Sequence, residues 1–220
     1  ENVKISPNKI SINKDFVWVL DPLDGTKDFI QGTGNYAMHL ALNYKNIPFL
    51  GIVLIPEKDE LWISTNDMVW CENRYKENKR TNLSIKKNLN DMTIVTSNNH
   101  QNQILQNLIK KIKFKEVIVM GSIGCKIASI LRGESDIYIC LSLPGESSPK
   151  DWDFAAPTAV LKAAGGAITN LNNEDLIFGN CDFRQEGIII ASNDFHNHGK
   201  ICSEIRQLIN KFDLYPFNFS

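Results

Sequence analysis

The sequence predicts an α/β fold in which mixed sheets stack as a layered α+β sandwich. Three observations predict it. Apolar, strand-like runs succeed one another in the N-terminal half. Strand-like and helix-like segments alternate in the C-terminal half. The chain as a whole shows no strict strand–helix alternation, which disfavours a simple doubly wound parallel sheet. With 220 residues there is chain enough for one large domain or two small ones around a sizeable core. Apolar residues at 43% and charged residues at 22% argue against wholesale disorder.

Taken in order, Phe16–Leu20 (FVWVL) is a continuous apolar run, as a buried strand requires. Tyr36–Leu42 alternates in part, Pro48–Ile55 is a second apolar run, and Lys45-Asn46 between them reads as a hairpin turn. Glu60–Thr65 is a further strand. The segment Cys71–Asn90 is dense in Asn and Lys, lacks a sustained hydrophobic period, and reads as a surface loop. Thr93–Ser97 is expected to be a strand and Gln101–Lys113 a helix. That helix puts Ile104, Leu105, Leu108, Ile109 and Ile112 on one face. Glu116–Met120 reads as a strand and Ser122–Arg132 as a helix closed by Gly133. Ser135–Leu141 is a strand, Asp153–Ala164 an Ala-rich helix ended by Gly165-Gly166, Gly187–Ser192 a strand, and Gly199–Phe212 a last helix. The expected division is residues 1–81 and 82–220.

Charge narrows the function. The formal net charge is −1, from 24 basic and 25 acidic side chains, so nucleic-acid or membrane-surface binding lacks its usual electrostatic drive. No apolar run approaches a membrane span, and no signal peptide opens the chain. Cys71, Cys125, Cys140, Cys181 and Cys202 are scattered and form no C-x-x-C pair, so neither a disulfide framework nor a zinc site is indicated. A cytoplasmic location is the expectation. The sequence starts at Glu1, not Met, and enters in mid-phrase; an upstream segment is expected.

The most informative segment is Trp18–Phe29 (WVLDPLDGTKDF), where an apolar strand runs into two aspartates three residues apart. Pro22 fixes φ after the first, and Gly25 permits a sharp turn and close approach to a ligand. Such a turn can aim Asp21, Asp24 and the Leu23 carbonyl at one point, an oxygen cluster suited to Mg²⁺. The Gly25-Thr26 amides would then open a helical turn, where exposed N–H groups attract phosphate. Taken alone, the same residues are also ordinary β-turn composition. Haloacid-dehalogenase-type phosphatases place Asp-x-Asp-Gly-Thr after a strand; here Pro22 occupies the nucleophile's place. A second segment, Lys150–Pro157 (KDWDFAAP), sets Asp153 at the head of the Ala-rich helix, where an aspartate serves as an N-cap or faces a cation.

Together the two segments resemble the inositol monophosphatase superfamily of Mg²⁺-dependent, lithium-sensitive phosphatases, a fold shared with fructose-1,6-bisphosphatase. Asp21–Phe29 matches the family's first motif without a gap, and Trp152–Ala156 its second. Tyr36–Ser64, Gly121-Ser122, Gly133 and Asp136-x-Tyr138 resemble its hairpin, intervening helix and strand. Leu23, Lys27 and Asp28 resemble the 3′(2′),5′-bisphosphate nucleotidase branch of the CysQ type. The resemblance implies a chain lacking the family's N-terminal helices, a metal- and phosphate-binding first half and a substrate-binding second half. It implies two or three Mg²⁺ ions, with Asp21 bridging, the Leu23 carbonyl and Asp24 as ligands, and Asp153 beside Asp24. Gly25 and Thr26 would hold the substrate phosphate, and the Thr26 hydroxyl would orient the attacking water. Glu1 stands where the family's metal-ligating, water-activating glutamate is expected.

The implied activity is removal of the 3′-phosphate of adenosine 3′,5′-bisphosphate, and of its sulfated form, in a cytoplasmic monomer or homodimer. The partner is then a small phosphate ester, with no nucleic acid and no membrane. The alternatives are an inositol-phosphate or other sugar-phosphate phosphatase of the same fold, or a truncated, non-catalytic member. One departure bears on substrate choice. Nucleotidases of that branch carry Arg two residues after the Tyr of Asp-x-Tyr, and here that position is Cys140. Lys126, with Ser122, is expected to contact the non-scissile phosphate or the ribose, and Lys150 to stand in partly for the missing Arg. Lys150 reads equally well as an exposed loop lysine. Metal-assisted hydrolysis needs no Ser, Cys or His nucleophile. Accordingly His39 reads as a core or edge residue, and His100, His196 and His198 as polar positions at element ends, the last two in a solvent-facing loop.

Overall fold

The structure, a computed structural model, describes residues 15–73, 76–80, 87–97, 103–143, 145 and 147–214. Two sheets dominate it. The first is an antiparallel meander in the order β1 (Phe16–Asp24), β2 (Ala37–Tyr44), β3 (Ile47–Ile55), β4 (Glu60–Thr65), β5 (Met68–Asn73) and β6 (Lys76–Arg80). The short helix α1 (Thr26–Gln31) joins β1 to β2. The second sheet is mixed, built from β7 (Thr93–Thr96), β8 (Glu116–Val119), β9 (Ile137–Ser142), β10 (Ala167–Asn170) and β11 (Gly187–Ser192). Its order is β10-β11-β9-β7-β8, with β8, β7 and β9 parallel and the other pairs antiparallel.

Helices fill the spaces between and outside the sheets. Every residue of α3 (Ile123–Leu131) is buried, and most of α4 (Asp151–Ala163). Their side chains join Ala37, Ala41, Val53 and Trp62 of the first sheet and Val95, Tyr138 and Ile189 of the second in one core. A helix apolar on all sides belongs between two layers. Against the other face of the second sheet lie α2 (Gln103–Ile112) and α5 (Phe195–Phe212), with Leu105, Leu108, Ile112, Ile201, Ile205 and Ile209 packed on Ile94, Ile137, Ile139 and Ile190. Apolar residues on alternate faces of β9 and β11 thus serve two cores, which explains their unbroken apolar runs. Among the described residues no helix is long and apolar enough to cross a membrane.

Several expectations need correction. β1 is an edge strand, not a buried one: Phe16, Trp18 and Leu20 are more than half exposed on its outer face. The Asn- and Lys-rich stretch is not all loop, because β5 and β6 pair antiparallel within it. Backbone pairing to β4 organises a segment whose side chains give no period. β10 carries too few residues to register as an apolar run. The last helix begins at Phe195, four residues before the expected Gly199, because Asp194 caps it through the amides of His196 and Asn197.

The contact that seats α4 on the first sheet runs through Gly51 of β3. A Cβ there would lie 2.6 Å from the Ala156 carbonyl oxygen and 2.7 Å from the Ala159 Cβ. Gly51→Ala is expected to push α4 off the sheet and cost about 1–3 kcal/mol, as overpacking does. A thermal melt checks this; an unchanged midpoint would show that the layers have slack at this seam.

Candidate active site

The site is built on a flaw in β1. Residues three apart in a regular strand point to opposite faces. Here the register slips between Asp21, opposite His39, and Asp24, opposite Ala37. The extra residue of this β-bulge, at Pro22-Leu23, returns Asp24 to the inner face that Asp21 already occupies. Proline suits such a position because it has no N–H to lose from the ladder. The segment is therefore a bulged strand end and not the plain β-turn its composition also allowed. Gly25 follows at φ 85, in the left-handed region, with the Asn35 carbonyl and Ser122 packed where a side chain would stand. Thr26 opens α1, and its Oγ1 donates to the Leu23 carbonyl at 3.2 Å.

The third carboxylate comes from α4. Asp153 is the third residue of that helix, not its cap; the cap is Lys150, whose backbone N–H donates to Asp153 Oδ2 at 2.5 Å. Pro157, one turn on, cannot donate to the Asp153 carbonyl. Ligand oxygens of Asp21, Asp24 and Asp153 all lie within 4.8 Å of one another. Three such anions in partial burial repel. Burial pushes the Asp153 carboxyl up to about 7, with the charges of Asp24 and Asp21 acting in the same direction. Asp21 is also raised, by burial first and by Asp24, against the pull of the Leu23 amide that donates to its Oδ1 at 3.0 Å. A divalent cation relieves this repulsion and finds hard oxygen donors, so the residues present fit Mg²⁺.

Asp24 is held from behind by α3. Its Oδ2 accepts from Ser122 Oγ at 2.6 Å, from the Ile123 amide at 2.5 Å and from the Gly124 amide at 3.2 Å. Ser122 caps α3 through the Cys125 amide and adopts φ 48, ψ 134, a conformation that costs a residue with a side chain about 1–3 kcal/mol. Lys126, one turn along, is 2% exposed; its Nζ donates to the Ser122 carbonyl at 3.1 Å and lies 5.3 Å from the Tyr138 ring centre. Burial holds that ammonium below the usual lysine range, while Asp24 and Cys140 pull it back up. Lys150, in contrast, turns its Nζ to the Asp182 carbonyl at 3.2 Å. Glu1 lies outside the described residues.

The structure thus brings Asp21, Leu23, Asp24, Gly25, Thr26, Ser122 and Asp153 together, encloses Lys126 behind Ser122, and turns the Lys150 ammonium toward a neighbouring loop. It also adds His39, which sequence reasoning left as a core or edge residue. This buried ring puts Nδ1 3.3 Å from the Trp152 carbonyl and Nε2 3.4 Å from Asp24 Oδ2. The available signal was alternation: His39 stands between Ala37 and Ala41 at the inward positions of β2. His198 departs from expectation in another way. It lies in α5, not in a solvent-facing loop, buried between Ser192 Oγ at 2.7 Å and Thr169 Oγ1 at 2.8 Å, which excludes a metal pair with the exposed His196. Asp151, two residues before Asp153, accepts from the Gly179 amide and Gln185 Nε2 and clamps the 177–185 loop to the head of α4.

The profile of the inositol monophosphatase family matches residues 1–210. The chain belongs to that family. A member from Buchnera aphidicola, the 3′(2′),5′-bisphosphate nucleotidase CysQ, is 32% identical over 160 residues, 73% of this chain and 57% of its own length. The putative Nus factor SuhB of Neisseria meningitidis serogroup A is 25% identical over 203 residues, 89% of this chain and 69% of its own. An inositol monophosphatase structure from Zymomonas mobilis superimposes with a TM-score of 0.73 at 23% identity, covering 88% of this chain and 72% of that one. The chain therefore spans little more than half the length of the CysQ relative. As an inositol monophosphatase family chain it carries a phosphatase fold with mixed sheets and a carboxylate cluster able to hold metal.

The raised Asp153 carboxyl sets a pH dependence. Its folded pKa of about 7 lies above the unfolded value of 3.8, so its contribution to metal-free stability is full below 3.8 and lost as pH rises through 7. Cation binding runs the other way, since it requires the ionised form. Mg²⁺ affinity should rise as pH goes from about 5.5 to about 8, with proton release on binding at the acid end. Calorimetry in buffers of different protonation enthalpy reads both; pH-independent binding without proton release would remove Asp153 from the ligand set.

Proposed function

We propose that this chain is part of a cytoplasmic, Mg²⁺-dependent phosphomonoesterase that removes the 3′-phosphate of adenosine 3′,5′-bisphosphate and of its sulfated form. The observation that carries the phosphatase reading is the convergence of Asp21, Asp24 and Asp153 beside the Gly25-Thr26 turn. Likeness to the CysQ nucleotidase, together with Leu23, Lys27 and Asp28 in the first motif, supports the nucleotide reading.

Mg²⁺ held by such a cluster neutralises phosphate charge, lowers the pKa of an attacking water and braces the leaving oxygen. In this reading Asp21, the Leu23 carbonyl, Asp24, Asp153 and Glu1 would hold the metal. The Gly25 and Thr26 amides orient the phosphate for in-line attack. Thr26 Oγ1, already donating its hydrogen to the Leu23 carbonyl, keeps lone pairs that accept a hydrogen from the incoming water and hold it in line. Glu1 would help activate that water.

Substrate choice rests on cations near Cys140. In this reading Lys126, one turn along α3 from Ser122, supplies positive charge behind the site in place of the absent arginine, its buried Nζ held on the Ser122 carbonyl. Beside Asp153, the partly exposed Trp152 ring meets Phe183 at 6.1 Å between centres. Such an aromatic rim suits a base better than a polyol.

Asp24→Asn and Asp153→Asn in the full-length protein should each lower Mg²⁺-dependent kcat by more than about 100-fold, beyond the effect of losing an outer-shell partner. Near-normal turnover in either would overturn the metal assignment. The ratio of kcat/KM for adenosine 3′,5′-bisphosphate to that for inositol 1-phosphate decides the substrate. It should exceed one and fall in Lys126→Met, which retains the buried stem. A wild-type preference for the inositol ester, the activity suggested by the Zymomonas relative, would replace the nucleotide reading.

A further inference from the structure

Two elements other than its own strand meet at Asp24, α3 and β2. Four groups face one of its oxygens. Ser122 Oγ and the amides of Ile123 and Gly124 donate to Oδ2, and His39 Nε2 stands 3.4 Å from the same atom on the other side. Among the described residues no hydrogen bond reaches Asp24 Oδ1. The carboxylate is therefore pinned by one oxygen and presents the other.

The α3 side of Asp24 shows signs of being made for it. Ser122 keeps φ 48, ψ 134 although a side chain disfavours it, and that conformation puts Oγ on Asp24 and on the Cys125 amide at once. On the other side the buried His39 ring fits only because its neighbour in α3 is Gly124, where a Cβ would meet Nε2 at 2.2 Å. Its Nδ1 contacts the Trp152 carbonyl, which can only accept, so Nδ1 carries the hydrogen and Nε2 of the neutral ring has none to donate to Asp24. The hold on Oδ2 therefore comes from Ser122 and the first amides of α3.

We propose that Ser122 is a positioning residue that, with the first amides of α3, holds Asp24 Oδ2 in place and leaves Oδ1 to the cation. This rests on the metal-phosphatase reading, and it moves Ser122 from the substrate to the metal ligand. A carboxylate held in this way loses little orientational freedom on binding an ion, the service that outer-shell contacts do for ligands generally. A polar group that touches the ligand and not the metal then matters for affinity without touching substrate.

The test measures Mg²⁺ and Mn²⁺ binding to the full protein by calorimetry without substrate, followed by kcat and KM at saturating metal. Ser122→Ala should weaken metal binding by about 10- to 100-fold and leave KM within about twofold. Ser122→Gly relieves the strained φ, so its melting temperature should hold or rise while metal affinity falls as in Ser122→Ala. That pairing keeps the test open if the alanine variant is poorly folded. A raised KM with unchanged metal affinity would return Ser122 to the substrate. A lowered melting temperature with unchanged metal affinity would make Ser122 structural. Either result overturns the proposal. Wild-type protein that binds no divalent ion would instead overturn the phosphatase reading itself.

Discussion

Three carboxylates sharing a space of 4.8 Å with partial burial is the constraint on which the rest depends. Left alone, such a cluster disperses or takes up protons, and the raised carboxyls of Asp21 and Asp153 register that tendency. Something must hold the oxygens together against repulsion, and only rigid elements can. Here that is done from three directions: a bulged strand, a helix pressed onto the sheet at Gly51, and a second helix whose first turn grips Asp24. Both helices are buried on more than one side, so neither can relax without disturbing a core.

The two-layer burial of α3 and α4 follows from the same need. A surface helix can shift by a fraction of an ångström at small cost, whereas a helix packed between two sheets cannot. Both helices present their first turns at the edge of the first sheet, beside the end of β1. Amide groups at one helix start meet the Asp24 carboxylate, a favourable end of the helix dipole for an anion. The other helix start carries an anion of its own, Asp153. Fold and site are thus one arrangement, in which the mixed second sheet contributes chiefly by closing α3 and α4 from the far side.

How much of this was legible in the sequence divides along physical lines. Both carboxylate motifs are local, so their residues stood out in the sequence, and the resemblance to the family joined Asp153 to Asp21 and Asp24. Apart from β10, strand and helix order in the second sheet was legible because β9 and β11 are apolar on both faces and α2 carries a clear period. The bulge was not legible, since nothing in Asp-Pro-Leu-Asp distinguishes a turn from a strand that slips by one residue. The inner and outer faces of β1 were not separable, because Phe16, Trp18 and Leu20 on the exposed face are as apolar as Val17 and Val19 on the other. His39 and His198 were undervalued for a shared reason. A buried histidine is identified by what packs around it, and those partners lie in other elements: Asp24 and Trp152 for His39, Thr169 and Ser192 for His198.

One helix turn also joins the cluster to the surface beside it. Asp151 and Asp153 are two residues apart on α4, so their side chains leave the axis about 200° apart. Asp153 faces the other two carboxylates, and Asp151 faces away, where it accepts from Gly179 and Gln185 and holds the loop bearing Phe183 and Arg184. Phe183 sits at φ 56, and its carbonyl accepts from the Asp151 amide, so the loop's odd backbone is anchored at the same point. A movement of the head of α4 would therefore displace a candidate ligand and the aromatic rim together. Cation geometry and the shape of the neighbouring surface are coupled through a single turn of helix, and a substitution that alters one is constrained by the other.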